Sequence, residues 1–239
     1  MEEEYAEGQS YWIPMADMMT GLMLVFMLVA VSYMVMVQQT TTLIVQEYET
    51  TRQALKQALQ TEFSEKLKQW DAELLGDMTL KFKNPEVLFD TGKATLKPEF
   101  KLILDEFIPK YLKVLNSEKF KSSIKEVRIE GHTSPRWTKG AASTEEAYFK
   151  NMKLSQERTR ATLEYVLSNP DARAHINWLR QVITANGLSS SHPIHIGGLE
   201  SNPIDETASQ RVEFRIVTNS EERLAKIAES ITETKNEFK

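Results

Sequence analysis

Hydrophobic positions fall into three regimes along this chain. Between Gly8 and Gln46 they form a nearly unbroken run, densest from Met18 to Val37. Twenty such residues make a helix about 30 Å long, the thickness of a bilayer's hydrocarbon core. The run therefore predicts one transmembrane helix over residues 12–37. From 38 to 75 there is no Gly or Pro, and Ile44, Tyr48, Leu55, Leu59, Phe63, Leu67, Trp70 and Leu74 recur mostly three or four apart among Gln, Glu and Lys. That spacing predicts an amphipathic juxtamembrane helix continuous with the first. Its narrow seam favours pairing in a dimer or sealing a channel, the other reading being a helix packed on its own domain.

From Gly76 onward the period switches repeatedly. Met78–Phe82 alternates as a strand, Val87-Leu88-Phe89 is a short apolar run, and Asp90-Thr91-Gly92-Lys93 is a turn. Pro98 opens a helix that buries Phe100, Ile103, Leu104, Phe107, Ile108, Tyr111 and Leu115. Ile124–Glu130 alternates strictly, a polar loop runs from Ser134 to Thr144, and helices are expected near Glu145–Leu167 and Ala172–Ala185, parted by Asn169-Pro170. Gln210–Val217 is the last strand. This order predicts an α+β domain over residues 76–218, with helices on one face of a mixed sheet. Leu224, Ile227, Ala228 and Ile231 mark an amphipathic C-terminal helix over residues 219–239.

Asp17 interrupts the apolar run and is the only residue between Gly8 and Gln46 that is charged at neutral pH. A carboxylate within a membrane helix costs roughly 2.5–3.5 kcal/mol on insertion scales, so such a residue is a functional candidate by default. A group that can be neutral or charged at that depth can pass a proton through. The plainer reading is an N-cap at the membrane surface, with the helix starting at Met18. Tyr11 and Trp12 as interfacial aromatics, and Pro14 in a first turn, instead place the start near Ile13 and Asp17 one turn inside. Gly21 lies on the same face, where a partner helix can approach. The segment has no basic leader region and no small-residue cleavage site, and so reads as an uncleaved anchor.

Composition narrows the function. The chain has 239 residues, a net charge of −5 and no cysteine, which excludes disulfides and thiolate metal sites. An acidic chain without a basic run does not suit direct nucleic-acid binding. There is no nucleophile elbow, P-loop or H-E-x-x-H, so an enzyme is not expected, and neither is a cofactor. His192 and His195 would point to opposite faces of an extended segment, and no metal site is expected.

Several stretches resemble the OmpA-like peptidoglycan-binding domain. Val87–Pro98 is similar to its opening motif, and Ile129-Glu130-Gly131-His132-Thr133-Ser134 to its "G-H-T-D" turn. Asn151-Met152-Lys153-Leu154-Ser155-Gln156-Glu157-Arg158 resembles "N-x-x-L-S-x-x-R", and Gln210-Arg211-Val212-Glu213 its closing "R-R-V-E". The resemblance implies a peptidoglycan site built from Thr133, Ser134, Asn151, Leu154, Arg158 and Arg211. Arg158 would fork onto the carboxylate of the wall peptide's diaminopimelate. The family's aspartate, which receives the ligand's ammonium, is Ser134 here, and Glu145 or Glu146 are the loop carboxylates available to replace it. His132 reads as a strand-end structural residue.

The membrane end resembles flagellar stator B subunits of the MotB family, whose "A-D-x-M-T" segment matches Ala16-Asp17-Met18-Met19-Thr20. This implies that Asp17 is the proton-conducting residue of a homodimer inside a pentamer of MotA-like A subunits. It also implies a bacterial inner-membrane location, with residues 1–11 cytoplasmic and the C-terminal domain periplasmic. The positive-inside rule points weakly the other way, because the tail carries Glu2, Glu3, Glu4 and Glu7 while Arg52 and Lys56 follow the helix. "G-H-T-S" followed by Trp137, Asn151–Arg160 and Thr184–Ser191 is more similar to B subunits of Zorya anti-phage systems. The acidic tail departs from flagellar members, which are usually basic there. A flagellar stator subunit and a passive peptidoglycan tether are the alternative functions.

Overall fold

The computed structural model describes residues 2–137, 140 and 143–219, and at 2–11, 43, 44, 47, 48 and 86 the backbone alone. The expected C-terminal helix lies outside the described residues, apart from Asn219. The chain divides into two units, one up to Glu49 and one from Thr50 onward.

The first helix, α1, spans Glu2–Leu67 and contributes to both units. It begins well before Ile13, so Pro14 is an interior residue and not a first-turn one. Proline removes one backbone donor without obliging the helix to end, because the rungs on either side still form. Trp12–Thr42 is 31 residues long with a mean hydropathy of 2.3, and none of it is buried in the chain.

In the second unit α1 is followed by strands β1 (Ala72–Leu74) and β2 (Leu80–Phe82), the one-turn α2 (Pro85–Leu88), α3 (Pro98–Leu115) and β3 (Ile124–His132). Then come α4 (Thr144–Ser168), α5 (Pro170–Ala174), α6 (Ile176–Val182), β4 (Ile183–Gly187), the short α7 (Glu206–Ser209) and β5 (Arg211–Thr218). The sheet order is β1-β2-β5-β3-β4, with β3 and β4 parallel and the other pairs antiparallel. This is the expected α+β architecture. Val127, Ile129, Val212, Phe214 and Ile216 face the helices and form the core with Phe82, Phe100, Leu104 and Phe107. The alternate residues, among them Glu130, His132, Arg211 and Glu213, face the other way.

The juxtamembrane part of α1 corrects one expectation. Leu55, Leu59 and Phe63 are fully buried in this unit's own core. Phe63 lies 5.4 Å from Phe107 and 5.9 Å from Trp70, centroid to centroid. From Leu55 to Phe63 the apolar seam is therefore covered by the domain itself. The helix also stops at Leu67, not at Gly76. Trp70 is buried against Phe63 and Phe107, Asp71 turns the chain at φ 48°, and Ala72–Leu74 pairs with Leu80–Phe82 as a hairpin. Gly76 sits in that hairpin's turn. Phe63→Ala should destabilise the domain by about 3–5 kcal/mol in urea unfolding, as a fully buried aromatic does. An unchanged midpoint with an altered oligomeric state would return the seam to a dimer role.

The second correction is at residues 183–187. The expected helix Ala172–Ala185 is two short helices, and Ile183–Gly187 is a strand parallel to β3. Val182-Ile183-Thr184 is rich in β-branched residues, which fit a pleated half-buried surface, and the sheet contact settles the choice.

Candidate functional site

In the first unit Asp17 is exposed and, among the described residues, makes no ion pair. Thr20, one turn on, spends its hydroxyl on the Ala16 carbonyl at 2.7 Å. Nothing lies within 4 Å of where a Cβ on Gly21 would stand. Asp17, Thr20 and Gly21 thus share one face of an apolar helix whose large side chains, such as Leu22 and Phe26, are all exposed in the single chain. That surface requires lipid or partner helices to cover it.

In the second unit the site is organised by α4. Ser143 caps it by accepting from the Glu146 amide at 3.1 Å, and the helix lies directly on the paired glycines Gly131 and Gly187. A Cβ on Gly131 would stand 2.6 Å from the Thr159 methyl, and one on Gly187 would stand 2.6 Å from the Gln156 Cα. These two positions set how closely the helix approaches the sheet. Ser189 fastens the end of that contact, in the left-handed region at φ 52°. Its amide donates to Ser155 Oγ at 3.0 Å, its hydroxyl to the Tyr148 carbonyl at 2.9 Å, and its carbonyl accepts from the Thr133 amide at 2.8 Å. A strained non-glycine residue held this way marks a place where surrounding structure overrides local preference. Gly187→Ala must push against helix backbone, and is expected to cost about 1–3 kcal/mol in thermal unfolding and to displace α4.

Asn151, Leu154 and Arg158 follow one another at helical spacing on α4, and all three are buried. Asn151 Nδ2 donates to the carbonyls of Ser134 at 3.0 Å and Arg136 at 3.3 Å, which holds the turn after β3 against the helix. Thr133 and Ser134 are buried in that turn, and Thr133 Oγ1 makes no hydrogen bond among the described residues. Two turns along, about 10 Å away on an ideal helix, Arg158 is 7% exposed. Its Nε donates to the Lys93 carbonyl at 2.9 Å and Nη2 to the Asp90 carbonyl at 3.2 Å, and the guanidinium lies 4.8 Å from the Phe89 ring centre.

No carboxylate pairs with Arg158 among the described residues. The nearby Asp90 carboxylate is turned to Lys93 at 3.1 Å and Lys97 at 3.7 Å. Burial alone lowers the guanidinium to about 10, still fully charged at neutral pH. A buried cation held by carbonyls and without a carboxylate partner has the chemistry to receive an anionic group.

The remaining expected residues separate from this strip. Arg211 is on the opposite face of the sheet, with Nε donating to Glu213 at 2.5 Å and Nη1 to the carbonyls of His192 at 3.2 Å and Ser209 at 3.1 Å. Its Nε and Nη1 are engaged there, and it does not join the α4 strip. Glu146 is paired with Lys150 at 2.6 Å, which leaves it a poor substitute for the missing aspartate. Ser189 and the glycine pair were not read as site supports from the sequence. The signal for Ser189 exists only in three dimensions, since it depends on the left-handed turn after β4.

No family model matches the chain. The chain is 42% identical over 225 residues to Zorya protein ZorB of Escherichia coli strain Crooks, a match covering 92% of this chain and 93% of that protein. Among solved structures it is similar to a MotB-like protein from Desulfovibrio vulgaris (18% identity, TM-score 0.47, 73% of this chain and 96% of that one). It is also similar to the cell wall anchor of the type VI secretion system from Pseudomonas aeruginosa (17%, 0.45, 67% and 96%). A third likeness is to the periplasmic domain of Helicobacter pylori MotB (17%, 0.43, 66% and 89%). With that identity held over nearly the whole of both sequences, this chain belongs to the ZorB family of Zorya proteins.

Proposed function

We propose that this chain is the B-type stator subunit of a proton-driven inner-membrane complex in anti-phage defence. Asp17 carries the proton, and the α4 strip anchors the complex to peptidoglycan. Two copies stand inside a pentamer of MotA-like A subunits, whose helices cover the exposed apolar surface around Asp17. The observation that carries the reading is Asp17 itself, the one acidic or basic residue in the exposed apolar span Trp12–Thr42. A residue so costly in hydrocarbon is kept for what it conducts. Membership in the ZorB family supports the defence setting and the pairing of a membrane helix with a wall-binding domain.

At the wall end, Arg158 forks onto the carboxylate of the stem peptide's diaminopimelate, and Asn151 holds the Thr133-Ser134 turn against the other end of the strip. Leu154 supplies an apolar contact between them. Ser134 offers the ligand's ammonium a hydroxyl in place of a charge, which lowers affinity relative to an aspartate.

Peptidoglycan lies outside the cytoplasm, so the domain must be periplasmic and the acidic tail cytoplasmic. This overrides the weak charge bias of the flanking segments, which concerns only a few residues. An alkaline phosphatase fusion after Thr218 is expected to be active in cells, and a fluorescent protein requiring the cytoplasm is expected to be dark there. The reverse pair of results would overturn both the orientation and the wall-binding role.

A further inference from the structure

On the sheet face away from α4, the antiparallel register sets Glu130 of β3 opposite Glu213 of β5, and His132 opposite Arg211. Like charges directly opposite on a sheet repel, and these two glutamates are buried, at 6% and 8% exposure. Arg211 neutralises Glu213 through its Oε1. Glu130 has neither a cation nor a hydrogen bond among the described residues. His132, 4% exposed, stands beside both, and neither of its ring nitrogens makes a hydrogen bond. Nε2 stops 3.5 Å from Glu213 Oε2. The imidazole therefore lacks a partner at both ring nitrogens, and the Glu130 carboxylate beside it lacks a countercharge.

We propose that Glu130, His132 and Glu213 form a binding site for a divalent transition cation of the Zn²⁺ type. One ion removes both deficits, because it takes a nitrogen lone pair and bridges two carboxylates that otherwise repel. Ligand atoms about 2.1 Å from a tetrahedral ion stand about 3.4 Å apart, and the Nε2–Oε2 separation of 3.5 Å matches that edge. The three donor atoms lie within 4.8 Å of one another, close enough for one ion to draw them together. Arg211, on the other oxygen of Glu213, is the partner that orients a ligating carboxylate. Imidazole with carboxylate suits Zn²⁺ better than Mg²⁺ or Ca²⁺, which prefer oxygen alone. His192 is exposed at the mouth, its ring centre 6.2 Å from that of His132, so the fourth position is open to water or to that ring. The ion would join β3 to β5 immediately before the Thr133-Ser134 turn.

The test uses the full chain in detergent, stripped with a chelator and titrated with ZnCl₂ alone. Stoichiometric uptake after desalting is expected, with the Tm raised by roughly 5–10 °C at a hundredfold excess over Kd. Glu130→Gln and His132→Gln should each lose roughly a hundredfold or more in Zn²⁺ affinity. If either variant fails to fold, Co²⁺ in the unaltered chain gives the second reading, as visible bands of a low-coordinate nitrogen–oxygen site that EDTA bleaches. A chain that takes up no ion, uptake that Glu130→Gln leaves unchanged, or Co²⁺ with only the spectrum of the hydrated ion would overturn the proposal.

Discussion

Arg158→Ala is expected to release the full-length protein from purified peptidoglycan sacculi in a co-sedimentation assay. The guanidinium already makes its two carbonyl bonds, to Lys93 and Asp90, before any ligand arrives. The ligand's carboxylate therefore meets a cation whose geometry is fixed in advance. One charge-assisted bond to such a group is worth about 1.5–3 kcal/mol, a ten- to hundredfold change in affinity. Nη1 makes no hydrogen bond among the described residues, and with the second N–H of Nη2 it leaves the end of the guanidinium for the proposed fork. Arg158→Lys keeps the charge but loses the fork, and should fall between the two. Asn151→Ala should weaken binding through the turn it holds. Ser134→Asp should strengthen binding by supplying the missing countercharge. A folded Arg158→Ala chain that pellets with sacculi as before would remove the α4 strip from the wall-binding account.

How much of this was legible in the sequence depended on the range of the interactions. α3 and α4 are long elements whose own periodicity identifies them, and the structure returns them within a few residues, whereas the helix of the membrane run begins well before the expected Ile13. Asn151, Leu154 and Arg158 came from the resemblance to a family motif, and helical spacing adds only that residues three, four and seven apart share a face. The short elements failed for the same physical reason in each case. Trp70 and Leu74 lie four apart, as on a helix, yet Trp70 turns inward to the aromatic core and Leu74 belongs to a strand. Ile183–Gly187 reads as either helix or strand, and only pairing with β3 decides it.

Arg211 stands apart from the α4 strip for a different reason. Strict alternation along Arg211–Thr218 puts Val212, Phe214 and Ile216 on the helix side, so the period of two already assigned Arg211 to the opposite face. The resemblance to a family motif concealed that. The cluster of Glu130, His132 and Glu213 could not have been seen beforehand, because its members meet through the register of two strands far apart in sequence. The reading of the juxtamembrane seam was reversed by a neighbour that the helix pattern cannot show, the ring of Phe107.

The second large effect is at Asp17, and it tests the central claim most directly. Among the described residues the Asp17 side chain stands exposed in an apolar span, and in the proposed complex a proton reaches it through the helices of the surrounding subunits. Asparagine keeps the shape and a hydrogen-bonding amide but neither binds nor releases a proton. The membrane potential acting on one charge supplies about 2.3 kcal/mol per 100 mV across the full membrane, and without titration none of it is captured. Glutamate at the same position keeps the titration and should be impaired less. The measurement is proton uptake into proteoliposomes holding this chain assembled with its A-type subunit, under an imposed potential. The account predicts that Asp17→Asn assembles normally, still binds sacculi, and shows no uptake above protein-free vesicles. Uptake equal to that of the unaltered complex would contradict it.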